Sequence, residues 1–257
     1  MPMNKGIFVV TRGDDLGNTS SANRAIYEAV TKGNLKNTSV MMTCNHIEEA
    51  AELFAGKKEV CVGLHCTINA EWDNYKWKSV LPQSEVPDLY DETDNLFSDN
   101  MKLHEKKPRI EIIIAELDAQ LDLATKMGFD IKYADQHMGF AWVVEGLKDE
   151  FAAWCNRKGL INTNRSLGHL GIAGDRVHED FIQQVVVALN NLSEGKYIIV
   201  GHPSFDDDET RQLFHTGVTG DIVAKERNAD RMIFTHPDIL RVYNERGIQA
   251  VRYDQVF

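Results

Sequence analysis

Short apolar runs alternate with amphipathic segments along most of the chain. Residues 6–10 are Gly-Ile-Phe-Val-Val, and residues 20–32 then place alanine, isoleucine and valine at helical spacing. Further strands are predicted at residues 37–42, 60–64, around Tyr133, and at 160–163, 197–200 and 250–253, with helices at 47–54, 110–127, 143–158, 179–192 and 237–246. Such alternation favours a parallel sheet. We therefore predict an α/β fold, an irregular TIM-like (β/α) barrel of about seven parallel strands that need not close completely.

Ionisable residues follow four of the predicted strands. They are Asp14, Asp15, His65, Asp135, His137 and His202. Because the carboxyl ends of parallel strands open onto one face of a barrel, these side chains are expected to converge. An isolated Asp-Asp pair before Leu-Gly is more often a helix cap, but the recurrence at four strand ends favours a functional site. Neighbouring side chains on a strand point to opposite sides, so one aspartate could hold a metal while the other handles a proton.

Length and charge fit an enzyme of one domain. The chain has 257 residues, of which 43% are hydrophobic, so residues 1–257 can form a single barrel. A net charge of -11 argues against nucleic acid or an anionic membrane as partner, because binding phosphates requires clustered lysine and arginine. The four cysteines lack Cys-x-x-Cys spacing and are predicted to be reduced thiols. No apolar signal segment or membrane-length run occurs, which predicts a cytoplasmic location.

The alternation stops in a long insertion loop around residues 69–108. This loop carries several aromatic residues, including Trp72 and Trp77, among many polar ones. Long loops in compact domains are usually functional, and an indole ring can stack on the apolar face of a sugar ring or on another planar group. Large aromatic side chains also bury irregular segments, so they could instead pin the loop to the barrel rim. Both interpretations remain open at this point.

The order and spacing of several motifs resemble one known family. The motifs are Gly13-Asp14-Asp15-Leu16-Gly17, Asn23-Arg24-Ala25-Ile26, Thr38-Ser39-Val40-Met41, Gly63-Leu64-His65, Asp135-Gln136-His137, His202-Pro203-Ser204-Phe205 and the carboxyl-terminal strand within 247–256. Together they resemble the YdjC-like carbohydrate deacetylases, which include bacterial chitooligosaccharide deacetylases. The resemblance covers most of the chain.

This resemblance implies a divalent metal ion, Mg²⁺ or Zn²⁺, held by Asp15, His65 and His137, with Asp14 as the general base. Three protein ligands would leave a coordination position for water, as expected of a hydrolytic metal centre. His202 is the candidate acid that protonates the departing amine. Asp135 could orient an imidazole or anchor its loop through backbone amides. The expected partner is a small carbohydrate substrate, and association into a homodimer is left open.

Some features depart from the family pattern. The family often continues with more histidines after His137, whereas this chain has Met138-Gly139-Phe140. Arg12 either places a cation close to the proposed metal or points outwards. Arg165 is a weaker candidate for substrate contact, with a surface salt bridge as its alternative. The principal hypothesis is a metal-dependent hydrolase acting on an N-acetylated sugar or a related amide. Two alternatives are a metal-dependent hydrolase of a different ester or phosphoester, and a carbohydrate-binding homologue without turnover.

Overall fold

The apolar runs form a parallel sheet that curls into a half-barrel covered by helices. The computed structural model describes residues 5–163, 167–170, 172 and 175–257. Within these residues the sheet has eight strands: β1 Ile7–Leu16, β2 Asn37–Val40, β3 Cys61–Cys66, β4 Ile131–Gln136, β5 Ile161–Asn162, β6 Gly168–His169, β7 Gly195–Gly201 and β8 Gln249–Val251. The predicted parallel α/β fold of TIM-like type is confirmed, with β6 as a short strand beyond the seven predicted.

The strand order places β1 in the interior of the sheet, between β2 and β7. The order is β5-β4-β3-β2-β1-β7-β6, and β8 pairs with the first half of β1 while β2 pairs with its second half. Among the described residues no pairing joins β5 to β6, so the sheet stays open between these two edges. Polar residues at the carboxyl ends of β1, β3, β4 and β7 consequently face one side of the half-barrel.

Nine α-helices occur in the described part of the chain. They are α1 Ser20–Lys32, α2 Ile47–Phe54, α3 Asn100–Lys106, α4 Ile110–Lys126, α5 Leu147–Lys158, α6 Phe181–Asn190, α7 Gly220–Thr235, α8 Pro237–Arg246 and α9 Tyr253–Val256. The Thr19 hydroxyl caps α1 by accepting a hydrogen bond from the Ala22 amide, and Gly159 and Gly247 end α5 and α8 in the left-handed conformation that glycine tolerates best. Helix α7 was absent from the sequence-based prediction.

An interior cluster of aromatic side chains lies within the half-barrel. The rings of Tyr133 and Tyr253 pack with their centroids 4.5 Å apart, beside the buried side chains of Phe8 and Val10. The Tyr133 ring fills the space over Gly63 so closely that an added Cβ atom there would lie 2.2 Å from it. The glycine two residues before His65 is therefore required by packing, because any side chain would displace this ring.

The insertion loop is packed against the barrel. It contains a 3-10 helix at Pro87–Leu89 and helix α3, and Trp72 and Trp77 are only 5% and 2% exposed. The Trp77 indole donates a hydrogen bond to the Asn69 carbonyl at 2.9 Å. The buried Glu116 carboxylate accepts the backbone amides of Val80 and Leu81 at 2.8 and 3.0 Å. The burial of both indoles favours the second of the two interpretations, in which they pin the loop to the barrel.

The four cysteines are free and buried, in agreement with the predicted reduced thiols. None of the helices described is both long enough and apolar enough to cross a membrane. The cytoplasmic location and the homodimer stay predictions.

Candidate active site

Three side chains from β1, β3 and the end of β4 meet at the open face of the sheet. His65 Nε2 lies 3.3 Å from Asp15 Oδ1, His137 Nδ1 lies 3.7 Å from the same oxygen, and the two nitrogens are 3.2 Å apart. A tetrahedral ion with bonds near 2.0–2.1 Å requires ligand atoms about 3.3 Å apart, so this triangle has a suitable size. The buried Asp15 Oδ1 has no hydrogen-bond partner. The donor set therefore fits a divalent cation.

Asp15 reaches this position through a break in the regular strand. Its φ of 65° is in the left-handed region, and the pairing of β1 with β2 shifts register between Gly13 and Leu16. Such a backbone costs about 1–3 kcal/mol in a residue other than glycine, and it turns the side chain toward the two histidines. An irregular backbone, and not strand alternation alone, therefore sets the direction of the Asp15 side chain.

Arg227 of α7 neutralises the other oxygen of Asp15. Its guanidinium donates to Asp15 Oδ2 at 2.6 Å, and the two side chains are 12% and 1% exposed. Burial acts to raise the pKa of Asp15, but Arg227 and the neighbouring His65 outweigh it, and the pKa falls well below its usual value. Asp15 is consequently a carboxylate at neutral pH, which is the form that binds a cation.

Each histidine is fixed by a carboxylate on its far side. Asp135 Oδ2 lies 2.9 Å from His65 Nδ1, which leaves Nε2 facing Asp15. Glu71 Oε2 lies 2.8 Å from His137 Nε2, which leaves Nδ1 facing the same point. Such carboxylate contacts set the tautomer and the direction of a metal-binding imidazole. The contact of Asp135 supports its predicted positioning role, whereas Glu71 was not anticipated.

Asp14 belongs to an adjoining buried network, in which its carboxylate, a His65 ring nitrogen and an Asp135 oxygen lie within 4.8 Å of one another. Arg12 Nε lies 2.8 Å from Asp14 Oδ1, and the Ser39 hydroxyl donates to the same oxygen at 3.2 Å. The Arg12 side chain is 13% exposed and also lies 3.4 Å from Asp135, so its charge points inward. Burial raises the pKa of Asp14 and nearby Asp135 adds to this, although Arg12 opposes them. A carboxylate with a raised pKa suits proton abstraction better than an ordinary one.

His202 lies at the end of β7, next to Asp230 of α7. The Asp230 carboxylate accepts the His202 backbone amide at 2.8 Å and lies 3.5 Å from its Nδ1. Burial acts to lower the pKa of His202, but Asp230 raises it, Asp15 and Asp14 add to the increase and Arg227 opposes it, with a net upward shift. The imidazolium form, which can donate a proton, therefore persists to higher pH.

A small cavity of about 220 Å³ adjoins His202. Its lining includes the half-buried His215 and Trp72, whose ring lies 5.4 Å from the Arg227 guanidinium. The buried Trp72 Nε1 has no hydrogen-bond partner among the described residues. Trp77 instead packs edge-on against His137, with ring centroids 5.8 Å apart. Arg165 lies outside the described residues, so its predicted substrate contact stays a prediction.

Sequence reasoning missed three charged residues of the site. Glu71 contacts His137, Arg227 contacts Asp15, and Asp230 contacts His202. Glu71 lies in the insertion loop, six positions beyond His65, and Arg227 and Asp230 lie three positions apart on one face of α7. None of them follows a strand. The only sequence signal was the helical spacing of Arg227 and Asp230.

Comparison with known proteins identifies a family for this chain. The model of the YdjC-like protein family matches residues 8–245. The chain belongs to the YdjC-like family. It is 24% identical over 264 residues to a carbohydrate deacetylase of Thermoanaerobacter pseudethanolicus, covering 96% of this chain and 98% of the relative. Membership of this family was predicted from the motifs, and it is confirmed.

Solved structures show the same fold. A protein of Enterococcus faecalis with a proposed role in cellobiose-phosphate cleavage is 20% identical, with a TM-score of 0.78 over 98% of this chain and 99% of that one. A polysaccharide deacetylase of Bacillus cereus is 14% identical, with a TM-score of 0.50 over 99% of this chain and 95% of that one. At these identities the likeness concerns the fold alone.

Proposed function

We propose that this member of the YdjC-like family is a metal-dependent hydrolase that removes the acetyl group from an N-acetylated carbohydrate. The observation that carries the proposal is the buried triangle of Asp15, His65 and His137, with ligand atoms 3.2–3.7 Å apart. Asp14 and His202 lie beside this triangle and have pKa values shifted upward. The carbohydrate deacetylase among its relatives supports the same activity.

The donor set bears on the identity of the metal. Two imidazole nitrogens and one carboxylate oxygen suit zinc or a similar transition-metal ion, whereas magnesium prefers oxygen ligands. Asp15, His65 and His137 would hold the ion. When bound, it would lower the pKa of a water molecule and polarise the acetyl carbonyl.

The chain's own residues provide the proton transfers of amide hydrolysis. Asp14 accepts a proton from the attacking water while the water oxygen bonds to the acetyl carbon. Arg12 holds the Asp14 carboxylate in place through contacts at 2.8 and 2.9 Å. As the C–N bond breaks, His202 donates a proton to the amine nitrogen, and Asp230 stabilises the imidazolium before that transfer. Acetate and the free amino sugar are the products.

Acetate release from N-acetylglucosamine oligomers tests this proposal. We expect release to stop on treatment with a chelator, to return with added zinc, and to be nearly abolished by Asp14→Asn. Full activity of Asp14→Asn would eliminate it as the base. Saccharide binding without acetate release would favour the non-catalytic alternative, and release of phosphate from sugar phosphates would favour the phosphoester alternative.

A further inference from the structure

Two consecutive residues with left-handed backbones follow the proposed metal ligand His137. Met138 has a φ of 56° and a ψ of 9°, and Gly139 has a φ of 62° and a ψ of 57°. Glycine adopts this conformation readily, whereas methionine is strained in it, so the turn persists only where the surrounding structure holds it. The strained peptide is directly attached to the residue whose ring must face the other two ligands.

A buried asparagine on helix α3 holds this turn. The Asn100 side-chain amide donates a hydrogen bond to the Met138 carbonyl at 2.7 Å, and its oxygen accepts one from the Asn69 side chain, also at 2.7 Å. Both asparagines are buried. A backbone carbonyl can only accept, so Asn100 must present its NH₂ group to Met138 and its oxygen to Asn69. The chain of hydrogen bonds therefore fixes the direction of both amides.

The insertion loop also contacts the His137 ring itself. The Trp77 indole packs edge-on against this imidazole with ring centroids 5.8 Å apart, and Glu71 Oε2 lies 2.8 Å from its Nε2. The other two proposed ligands, Asp15 and His65, are held by carboxylate and guanidinium groups of β4 and α7. The insertion loop therefore bears most directly on one ligand of the three.

We propose that Asn100 is a positioning residue of the metal centre, whose hydrogen bond to the Met138 carbonyl holds the strained turn that directs His137 at the cation. The inference rests on the proposed function and deepens it, because it gives the insertion loop the task of completing the ligand triangle. The effect passes through the backbone: when the turn relaxes, Met138 leaves the left-handed region and the imidazole moves with it. His137 Nδ1 lies 3.7 Å from Asp15 Oδ1, so a small movement of the ring opens the triangle.

The zinc affinity of asparagine variants tests this role. It is measured by competition with a chromophoric chelator, and circular dichroism checks the fold of every variant. Asn100→Leu keeps the volume of the side chain and removes its hydrogen bonds. We expect it to bind zinc roughly tenfold more weakly, at the lower end of the range for groups that position metal ligands, and to shift the absorption bands of bound cobalt. Asn100→Ala should show a similar loss if leucine disturbs the packing.

A double-mutant comparison separates positioning from a general loss of stability. Glycine accepts the left-handed conformation, so the turn in Met138→Gly needs less support from Asn100. Adding Asn100→Leu to Met138→Gly should therefore weaken zinc binding only about twofold. Asn95→Leu is the matched control, because Asn95 lies in the same loop and its side-chain amide donates to Thr93 instead. Its zinc affinity should equal that of the wild type.

Unchanged zinc affinity in the folded Asn100→Leu and Asn100→Ala proteins would overturn the positioning role and leave the deacetylase proposal intact. A similar loss in Asn95→Leu, or an equal loss with and without Met138→Gly, would overturn it as well. If the zinc affinities follow the expected pattern but the wild-type protein releases no acetate, the positioning role stands and the deacetylase proposal fails.

Discussion

Glu71 provides a sharp test of how the metal site is built. Its carboxylate lies 2.8 Å from His137 Nε2, and the two side chains are only 13% and 7% exposed. Burial acts to raise the pKa of Glu71, but His137 outweighs it and lowers that pKa, so a charged acceptor faces the imidazole. Loss of such a partner typically weakens metal binding 10- to 100-fold, or about 1.4–2.7 kcal/mol. We expect Glu71→Gln to lie near the lower figure, since its amide oxygen still accepts a hydrogen bond, and Glu71→Ala near the upper one.

The assay is a competition titration of zinc against a chromophoric chelator. Cobalt substitution adds a second readout, because the absorption bands of cobalt report its coordination geometry directly. Glu92→Gln is the matched control, since Glu92 lies on the same loop and is exposed. Unchanged zinc affinity in Glu71→Ala, with the fold intact, would refute the argument that this carboxylate positions His137.

Three further predictions concern the base, the acid and the loop. Asp14→Asn should lower kcat by roughly 10²- to 10⁴-fold, the range for loss of general base catalysis, while zinc affinity stays nearly constant. Asp230→Asn should move the alkaline limb of the kcat/KM profile to lower pH, because His202 loses the carboxylate that raises its pKa and releases its proton earlier. Trp77→Ala should lower the free energy of unfolding by about 3–5 kcal/mol, measured by urea denaturation, because its indole is only 2% exposed.

Each of these predictions has a contradicting outcome. A parallel loss of zinc in Asp14→Asn would place this carboxylate among the metal ligands. An unchanged alkaline limb in Asp230→Asn would mean that another group supplies the proton. A stability change below 1 kcal/mol in Trp77→Ala, judged against the exposed Trp142→Ala, would mean that the loop does not depend on its buried indole.

The strand ends could be predicted because their pattern is local. An apolar run followed by an ionisable residue indicates a strand end, and parallel topology then brings Asp15, His65 and His137 to one face. The backbone irregularity at Asp15 could not be foreseen, since no glycine marks it and its φ of 65° is imposed by the surrounding structure. The sequence therefore predicted which residues meet there, while the mechanism that orients Asp15 required coordinates.

Long-range partners escaped prediction for a different reason. Arg227 lies 212 positions from Asp15, and Glu71 lies 66 positions from His137. Helix α7 carries a mixture of charged and apolar residues, and nothing in its own sequence indicates which charges face the sheet. The roles of Trp72 and Trp77 were ambiguous because the same aromatic side chain can fill a core or stack on a ligand. The burial of both indoles in the structure favours the first of these roles.

The central claim is that Asp15, His65 and His137 bind one cation together. The metal content of the purified protein tests it most directly. After loading with zinc and removal of the excess by gel filtration, elemental analysis should find one ion per chain. His65→Ala and His137→Ala should lose that ion while remaining folded, and His178→Ala, in which an exposed histidine is replaced, should keep it. Retention of a stoichiometric ion by both His65→Ala and His137→Ala would contradict the account.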